Sequence, residues 1–400
     1  MPHPTPFHPR TLALSESLSF RDWSGYYAAS SYEMCHEHEY HAIRHAAALI
    51  DVSPLFKYTV SGRDAVRLVD RVVTRDATRV GVGQVIYALW CDERGKVIDD
   101  GTVTRVSEDR WRWTAADPTL RWLRQNATGL DVEVADVSEQ VSALALQGPA
   151  SAAVLAAAAR ADVASLAYYR MTSGSIAGVP VDISRTGYTG DLGYEIWIPR
   201  DGALAVWDAL SEAGRDYGLR AAGMLALDVA RIEAGLLLVD VDYHGSRKAL
   251  TDAQRYTPYE LGLGRLVSRT KRTFVGADAL RREPLAAREV VGLEIAWDEL
   301  ERLYERADLP PQLPAAASRI AVPVYRRGRQ VGKATSTTWS PVLKRLIALA
   351  TIDAPHNRRG TRLQVEVTIE AVRHRVSARV VQTPFFNPGR KMLTPPPLGT

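Results

Sequence analysis

The sequence predicts an α+β chain with a separate all-β module at its C-terminal end, and three observations lead there. Strand-like and helical runs alternate between residues 56 and 234. From residue 289 the texture changes to short strands bounded by Gly, Pro and polar residues. Residues 91–104, from Cys91-Asp92-Glu93-Arg94-Gly95 through Val97-Ile98-Asp99-Asp100-Gly101 to Thr104, read as a hairpin that delivers two adjacent carboxylates into a strand.

Composition bounds the class. The 400 residues, 46% hydrophobic and 24% charged, suffice for two or three packed units. A net charge of +4, with bases and acids interspersed, does not point to nucleic acid. Cys35 and Cys91 match no disulfide framework and no paired-cysteine metal spacing, so a reducing compartment, the cytoplasm, is expected. The start, Met1-Pro2-His3-Pro4, has no basic n-region or apolar h-region, and no run of 18 apolar residues occurs. A soluble, unexported chain without membrane partners is expected.

Residues 1–24 read as an irregular lead-in. Residues 32–49 carry a helical pattern in which His41 and His45 share a face; that spacing suits a pair of metal ligands, but no Glu follows His41 in the zinc-protease pattern, and no metal is expected. A strand over 56–60 and a helix over 65–73 follow. In the hairpin, period 2 puts Ile98, Asp100, Thr102 and Thr104 on one face and Val97, Asp99, Gly101 and Val103 on the other, so at most one aspartate points inward. An inward carboxylate suits acid/base work or stabilisation of a developing cation; capping and pairing with nearby arginines is the alternative. Residues 109–115 alternate as a strand with Trp111 and Trp113 on one face, to pack the core or to hold a flat heteroaromatic ligand.

Helices are predicted over 118–127, 150–161, 203–217 and 223–234, with a buried strand over 141–146 that ends in Gln147-Gly148-Pro149. The loop Arg185-Thr186-Gly187-Tyr188-Thr189-Gly190 precedes the strand Tyr194-Glu195-Ile196-Trp197-Ile198. Its glycines can bring main-chain donors close to a ligand, but it lacks the Gly-Lys-Ser/Thr ending of a phosphate-binding loop. The basic stretch Ser268-Arg269-Thr270-Lys271-Arg272 is either a solvated turn or a site for an anionic tail.

These strings have a family order. Asp51-Val52-Ser53, Ile98-Asp99-Asp100, Leu146-Gln147-Gly148-Pro149, Arg185 to Gly190 with Glu195, Arg231-Ile232-Glu233-Ala234-Gly235, Thr335-Ser336 and Ser340-Pro341 make the chain resemble the glycine cleavage T-protein family of folate-dependent aminomethyltransferases and demethylating enzymes. The resemblance implies a three-lobed cloverleaf: a lead-in over 1–50, two related α+β folate-binding lobes over 51–285, and a C-terminal β-barrel or sandwich over 286–400. It implies tetrahydrofolate as co-substrate, a small-molecule or carrier-bound one-carbon donor, and transfer of a methylene or methyl group. It carries the catalytic role to Asp100 and the pterin's amino-pyrimidine edge to Glu195, with Tyr188, Arg231 and Trp113 as further folate-binding candidates.

The chain also departs from the family pattern. Ala226-Leu227-Asp228 stands where Ala-Arg-Asp is usual, and Pro54-Leu55 where His-Met is usual. Tyr243 and His244 lie where family members shape the donor pocket. These changes favour a small methylated substrate as the alternative donor. A non-catalytic folate-binding assembly factor is the remaining reading, but neither cysteine lies in the Lys-Gly-Cys-Tyr-x-Gly-Gln-Glu loop of such relatives.

Overall fold

A computed structural model describes residues 1–282 and 286–393. The chain forms two compact units: one holds residues 1–90, 99–230 and 387–400, the other residues 91–98 and 231–386. The domain boundary expected at 285 falls outside the described residues.

The first unit is built on two sheets. In the seven-stranded sheet the order is Ala159–Arg160, Met171–Ile176, Val179–Ser184, Gly193–Pro199, Val141–Gln147, Ala47–Asp51 and Leu219–Ala221. All these pairs are antiparallel except the last, where Leu219–Ala221 runs parallel to Ala47–Asp51. The helices Ser151–Ala158 and Ala203–Ala213 contribute Val154, Leu155, Val206, Trp207 and Leu210 to one apolar cluster with Leu49, Leu144, Leu146, Ile183 and Ile196. Burial of that cluster is the main favourable term for this layer.

The predicted helix over 32–49 is shorter, Glu37–His45, and Ala47–Asp51 becomes a central strand. The run Ala47-Ala48-Leu49-Ile50 is buried throughout, and pairing on both edges outweighs the helical propensity of its alanines. His41 and His45 do share a face, with their rings stacked 5.5 Å apart. The motif Gln147-Gly148-Pro149 is explained here as well. Gly148 has φ of +119°, and a Cβ there would lie 2.6 Å from the Ala46 carbonyl oxygen and 3.0 Å from that of Ile43. Only glycine lets the strand end press against the end of the preceding helix.

The second sheet has the order Val85–Cys91, Val97–Ser107, Arg110–Ala115, Phe56–Ser61 and Glu133–Asp136. The hairpin turn closes through Asp92 N–H to Lys96 O at 2.8 Å, with Gly95 at φ +71°.

In the second unit, Arg288–Ile295, Arg345–Asp353, Arg329–Ser340, Val322–Arg326, Arg362–Ile369 and Val372–Val381 form a closed barrel, which leaves no open edge. Val291, Leu293, Val324, Ala348, Val365, Val376 and Val380 fill its core. The helix Trp297–Arg306 was not expected; its Leu300 and Leu303 face the barrel core while Asp298 and Arg302 pair at 2.9 Å on its solvent side. Dense charge hides an apolar stripe of so few residues. The basic stretch is partly folded in, with Lys271 buried and its ammonium 5.3 Å from the centre of the Phe274 ring.

Gly148→Ala is expected to destabilise the first unit by about 2–3 kcal/mol, from a strained φ plus a carbonyl clash. Urea denaturation followed by tryptophan fluorescence checks this, and an unchanged midpoint would contradict it.

Candidate functional site

The strand Val97–Ser107 sorts the two aspartates to opposite faces. Asp99 is fully buried, on the side of Trp90, Trp111 and Trp113. Its Oδ1 accepts from Asp100 N–H at 2.8 Å and its Oδ2 from Asp117 N–H at 3.0 Å. Burial, and then the neighbouring Asp100 charge, push the Asp99 carboxyl well above the usual carboxylate range. Asp99 is therefore a structural tie between two strand ends.

Asp100 lies on the other face, half-buried, and accepts a hydrogen bond from the Tyr87 hydroxyl at 2.7 Å. Tyr87 is held firmly as a donor, because burial and then the Asp100 charge raise its phenol well above 10.0. Antiparallel register puts Thr104 opposite Arg112 and Thr102 opposite Thr114, so Arg112 shares the face of Asp100.

Trp113 does not share that face. It is fully buried with its ring 4.8 Å from that of Trp90, edge to face, so of the two uses open to the tryptophan pair the fold takes core packing. Trp113, expected among the ligand-binding candidates, therefore lies in the core on the face opposite Asp100. The side chain that its strand presents on the Asp100 face is Arg112, which the sequence reading passed over because it followed the tryptophans.

The seven-stranded sheet supplies the facing surface. Asp182 pairs with Trp197 and Ser184 with Glu195 across adjacent strands, which places all four on one face. Arg112 joins the two sheets by an ion pair to Asp182, and its guanidinium lies 5.1 Å from the Trp197 ring centre. Glu195 is half-buried; burial raises its carboxyl above 4.5, against the pull of the Thr186 hydroxyl, which donates to Oε2, and of the Arg112 charge. Among the described residues Glu195 Oε1 has no donor, and Arg112 Nη1, buried, has no acceptor. Tyr169 connects the parts: it lies within electrostatic reach of Glu195, and Tyr87 within reach of Tyr169, Tyr188 and Asp100. The structure therefore brings Asp100, Tyr188 and Glu195 to one region of the first unit.

The glycine loop is shaped from below by one amide. Gln147 is fully buried; its Nε2 donates to Thr186 O at 3.2 Å and Tyr194 O at 3.3 Å, and its Oε1 accepts from the Thr189 hydroxyl at 2.7 Å. A Cβ at Gly187 or Gly193 would sit 2.1 or 2.4 Å from that carboxamide, so both glycines make room for Gln147. The residues just before the C-terminus complete the support. Arg390 pairs with buried Asp191 at 2.6 and 2.8 Å, Arg44 donates to Thr189 O at 2.9 Å, and Arg185 donates to the carbonyls of Lys391 and Leu393.

The other candidates belong to the second unit. Arg231 is fully buried, with its guanidinium on Asp242 Oδ2 at 2.6 Å and Ser336 Oγ at 2.8 Å. Asp242 Oδ1 accepts from the hydroxyls of Thr335 and Ser336 at 2.6 and 2.7 Å. Glu233 accepts from Ser340 at 2.5 Å. The strings that begin at Arg231, Thr335 and Ser340 are thus tied together by buried hydrogen bonds inside this unit, Arg231 and Asp242 holding Thr335 and Ser336, and Glu233 holding Ser340. Tyr243 is buried, whereas His244 is half-exposed with Nδ1 3.7 Å from Asp240.

The GCVT N-terminal domain model matches residues 13–271, and the glycine cleavage T-protein C-terminal barrel domain matches residues 311–387. The chain belongs to the glycine cleavage T-protein family. It is similar to an aminomethyltransferase of Moorella thermoacetica, 35% identical over 88% of this chain and 90% of that one. An aminomethyltransferase of Bacillus subtilis is 33% identical over 93% of this chain and 95% of its own length. A trimethylamine-oxide aldolase of Ruegeria pomeroyi is 33% identical over 96% of this chain, which spans about half, 47%, of that longer relative. The crystal structure of glycine cleavage system aminomethyltransferase T from Bartonella henselae shares the fold, with a TM-score of 0.80 at 24% identity over 97% of this chain and 99% of that one. No helix among the described residues is long and apolar enough to cross a membrane.

Arg390→Ala is expected to cost about 1–2 kcal/mol, because Asp191 keeps Arg44, and to loosen the loop that carries Tyr188. Hydrogen exchange should speed up at the amides of 189–192; unchanged exchange there would show that the tail does not brace the loop.

Proposed function

We propose that this chain is a tetrahydrofolate-dependent one-carbon transferase of the aminomethyltransferase type, with Asp100 at the reacting centre and Glu195 on the pterin. The observation that carries this reading is Asp100 itself. It is a half-buried carboxylate, fixed by the Tyr87 hydroxyl, on the face that leads to Glu195. The donor set fits the co-substrate: a pterin's amino group and ring N–H form a pair of donors, and Glu195 offers a carboxylate with Oε1 open beside them. Tetrahydrofolate supplies a nucleophilic ring nitrogen, N5, that accepts or releases a one-carbon group.

Asp100 has two tasks that its setting supports. Its negative charge, in surroundings shielded from water, stabilises positive charge that develops beside it. As a carboxylate it can also take a proton from an N–H, while Tyr87 restrains its orientation. Tyr188, on a loop braced by Gln147 and Asp191, is placed to line the pterin's ring face.

The relatives favour two donor classes. The aminomethyltransferases, matched over nearly their full length, support an aminomethyl donor, which the family resemblance places on a carrier protein. The trimethylamine-oxide aldolase supports a small methylated amine or N-oxide, as does apolar Leu227, buried in the helix Met224–Glu233 where the family usually has arginine. Purified protein with tetrahydrofolate and each donor class, analysed by mass spectrometry, separates them: methylene-tetrahydrofolate from the carrier marks the first, and product only with methylated amines the second. No folate product from any donor would reject the enzymatic reading.

Asp100→Asn is expected to leave tetrahydrofolate affinity within a few-fold while turnover falls by about 10²–10⁴. Equal loss of affinity would make Asp100 a binding residue only. A pH series tests Glu195. Its raised pKa means that the carboxylate is fully charged only above that value, so affinity should fall as pH drops through a midpoint above 4.5. Glu195→Gln should start weaker and lose that midpoint; a wild-type profile in the variant would remove Glu195 from the pterin site.

A further inference from the structure

We propose that Arg112 is a second pterin-binding residue, which donates to the carbonyl at C4 of the ring and selects 4-oxo over 4-amino pteridines. This rests on the folate reading above and deepens it.

Three observations converge. Among the described residues Arg112 Nη1 is buried with no hydrogen-bond partner, whereas Nη2 is fixed on Asp182. A buried guanidinium N–H without an acceptor is costly, and a ligand acceptor removes that cost. Arg112 and Glu195 lie within electrostatic reach of each other, and neither forms a direct ion pair with the other among the described residues. An open donor, Arg112 Nη1, and an open acceptor, Glu195 Oε1, therefore belong to residues within electrostatic reach of each other.

The pterin edge presents the complement. Its amino group and N3–H are donors for Glu195, and two ring acceptors flank them: N1 on the side of N8 and the C4 carbonyl on the side of N5. Sheet geometry chooses between these. Arg112 shares the strand face of Asp100, through the register Thr104 to Arg112. The reacting N5 must approach Asp100, so the acceptor on the N5 side, the C4 carbonyl, is the one turned towards Arg112. The Asp182 ion pair and the Trp197 ring hold the guanidinium in place beforehand, so little rotamer freedom is lost on binding.

A 4-amino pteridine replaces that acceptor with a donor that would face the Arg112 N–H directly, and it also lacks the N3–H that Glu195 accepts, so the share of the preference owed to Arg112 is the part that its substitution removes. The test is calorimetric titration of tetrahydrofolate and of its 4-amino analogue against wild type, Arg112→Leu and Arg112→Gln. Wild type is expected to prefer tetrahydrofolate. Arg112→Leu is expected to lose about 10- to 100-fold in affinity for tetrahydrofolate and to bind the 4-amino analogue as well as wild type does or better. Arg112→Gln, which can still reach towards Asp182 but is shorter, should show the same loss of preference if the leucine variant proves unstable. A purely structural Arg112 would weaken both ligands alike. Variants that keep the wild-type preference, or a wild type indifferent to the 4-substituent, overturn the role of Arg112 alone. A wild type that binds neither pteridine overturns the folate reading and this assignment together.

Discussion

Two carboxylates adjacent in a strand must point to opposite sides, and much of the first unit follows from how that constraint is met. Asp99 goes inward among three tryptophans, where two backbone N–H groups hold it and water does not reach it. Asp100 goes to the other face. Were the register of Val97–Ser107 to slip by one residue, every side chain would change face and Asp100 would be lost into the core. The tryptophans prevent this: Trp111 and Trp113 cannot leave the core without exposing large apolar rings, so they lock the register and with it the position of Asp100.

The facing sheet meets a different constraint. The loop that carries Tyr188 is irregular, yet its backbone groups must be satisfied. The buried carboxamide of Gln147 bonds two carbonyls and a hydroxyl, and Arg44 donates to the Thr189 carbonyl, while Arg390 holds the Asp191 carboxylate and Arg185 donates to the carbonyl of Lys391. The glycines at 187 and 193 have no Cβ because the amide occupies that space, so the loop's composition records its support. The same logic holds in the second unit, where Arg231, Asp242, Thr335 and Ser336 form a hydrogen-bonded set with every side chain buried. Such a set is stable only when complete, since loss of one partner strands a buried charge.

The sequence by itself determined the family, the α+β character of the N-terminal two-thirds, the strand-rich C-terminal module and the opposite facing of Asp99 and Asp100. These follow from period-2 alternation and from short strings in order, both of which are local. It also placed His41 and His45 on one helix face. What only the tertiary structure decided depends on contacts between distant segments. Whether Ala47–Asp51 is helix or strand turns on neighbours at 144–147 and 219–221. Whether Trp113 or Arg112 faces the site turns on which side of the sheet is covered by Asp182, Glu195 and Trp197. Arg231 reads as a folate ligand beside its motif, but its guanidinium is directed by Asp242 and Ser336, the latter 105 residues away. A strand pattern fixes which residues share a face; which face becomes the site is set by the surface packed against it, and that surface comes from elsewhere in the chain.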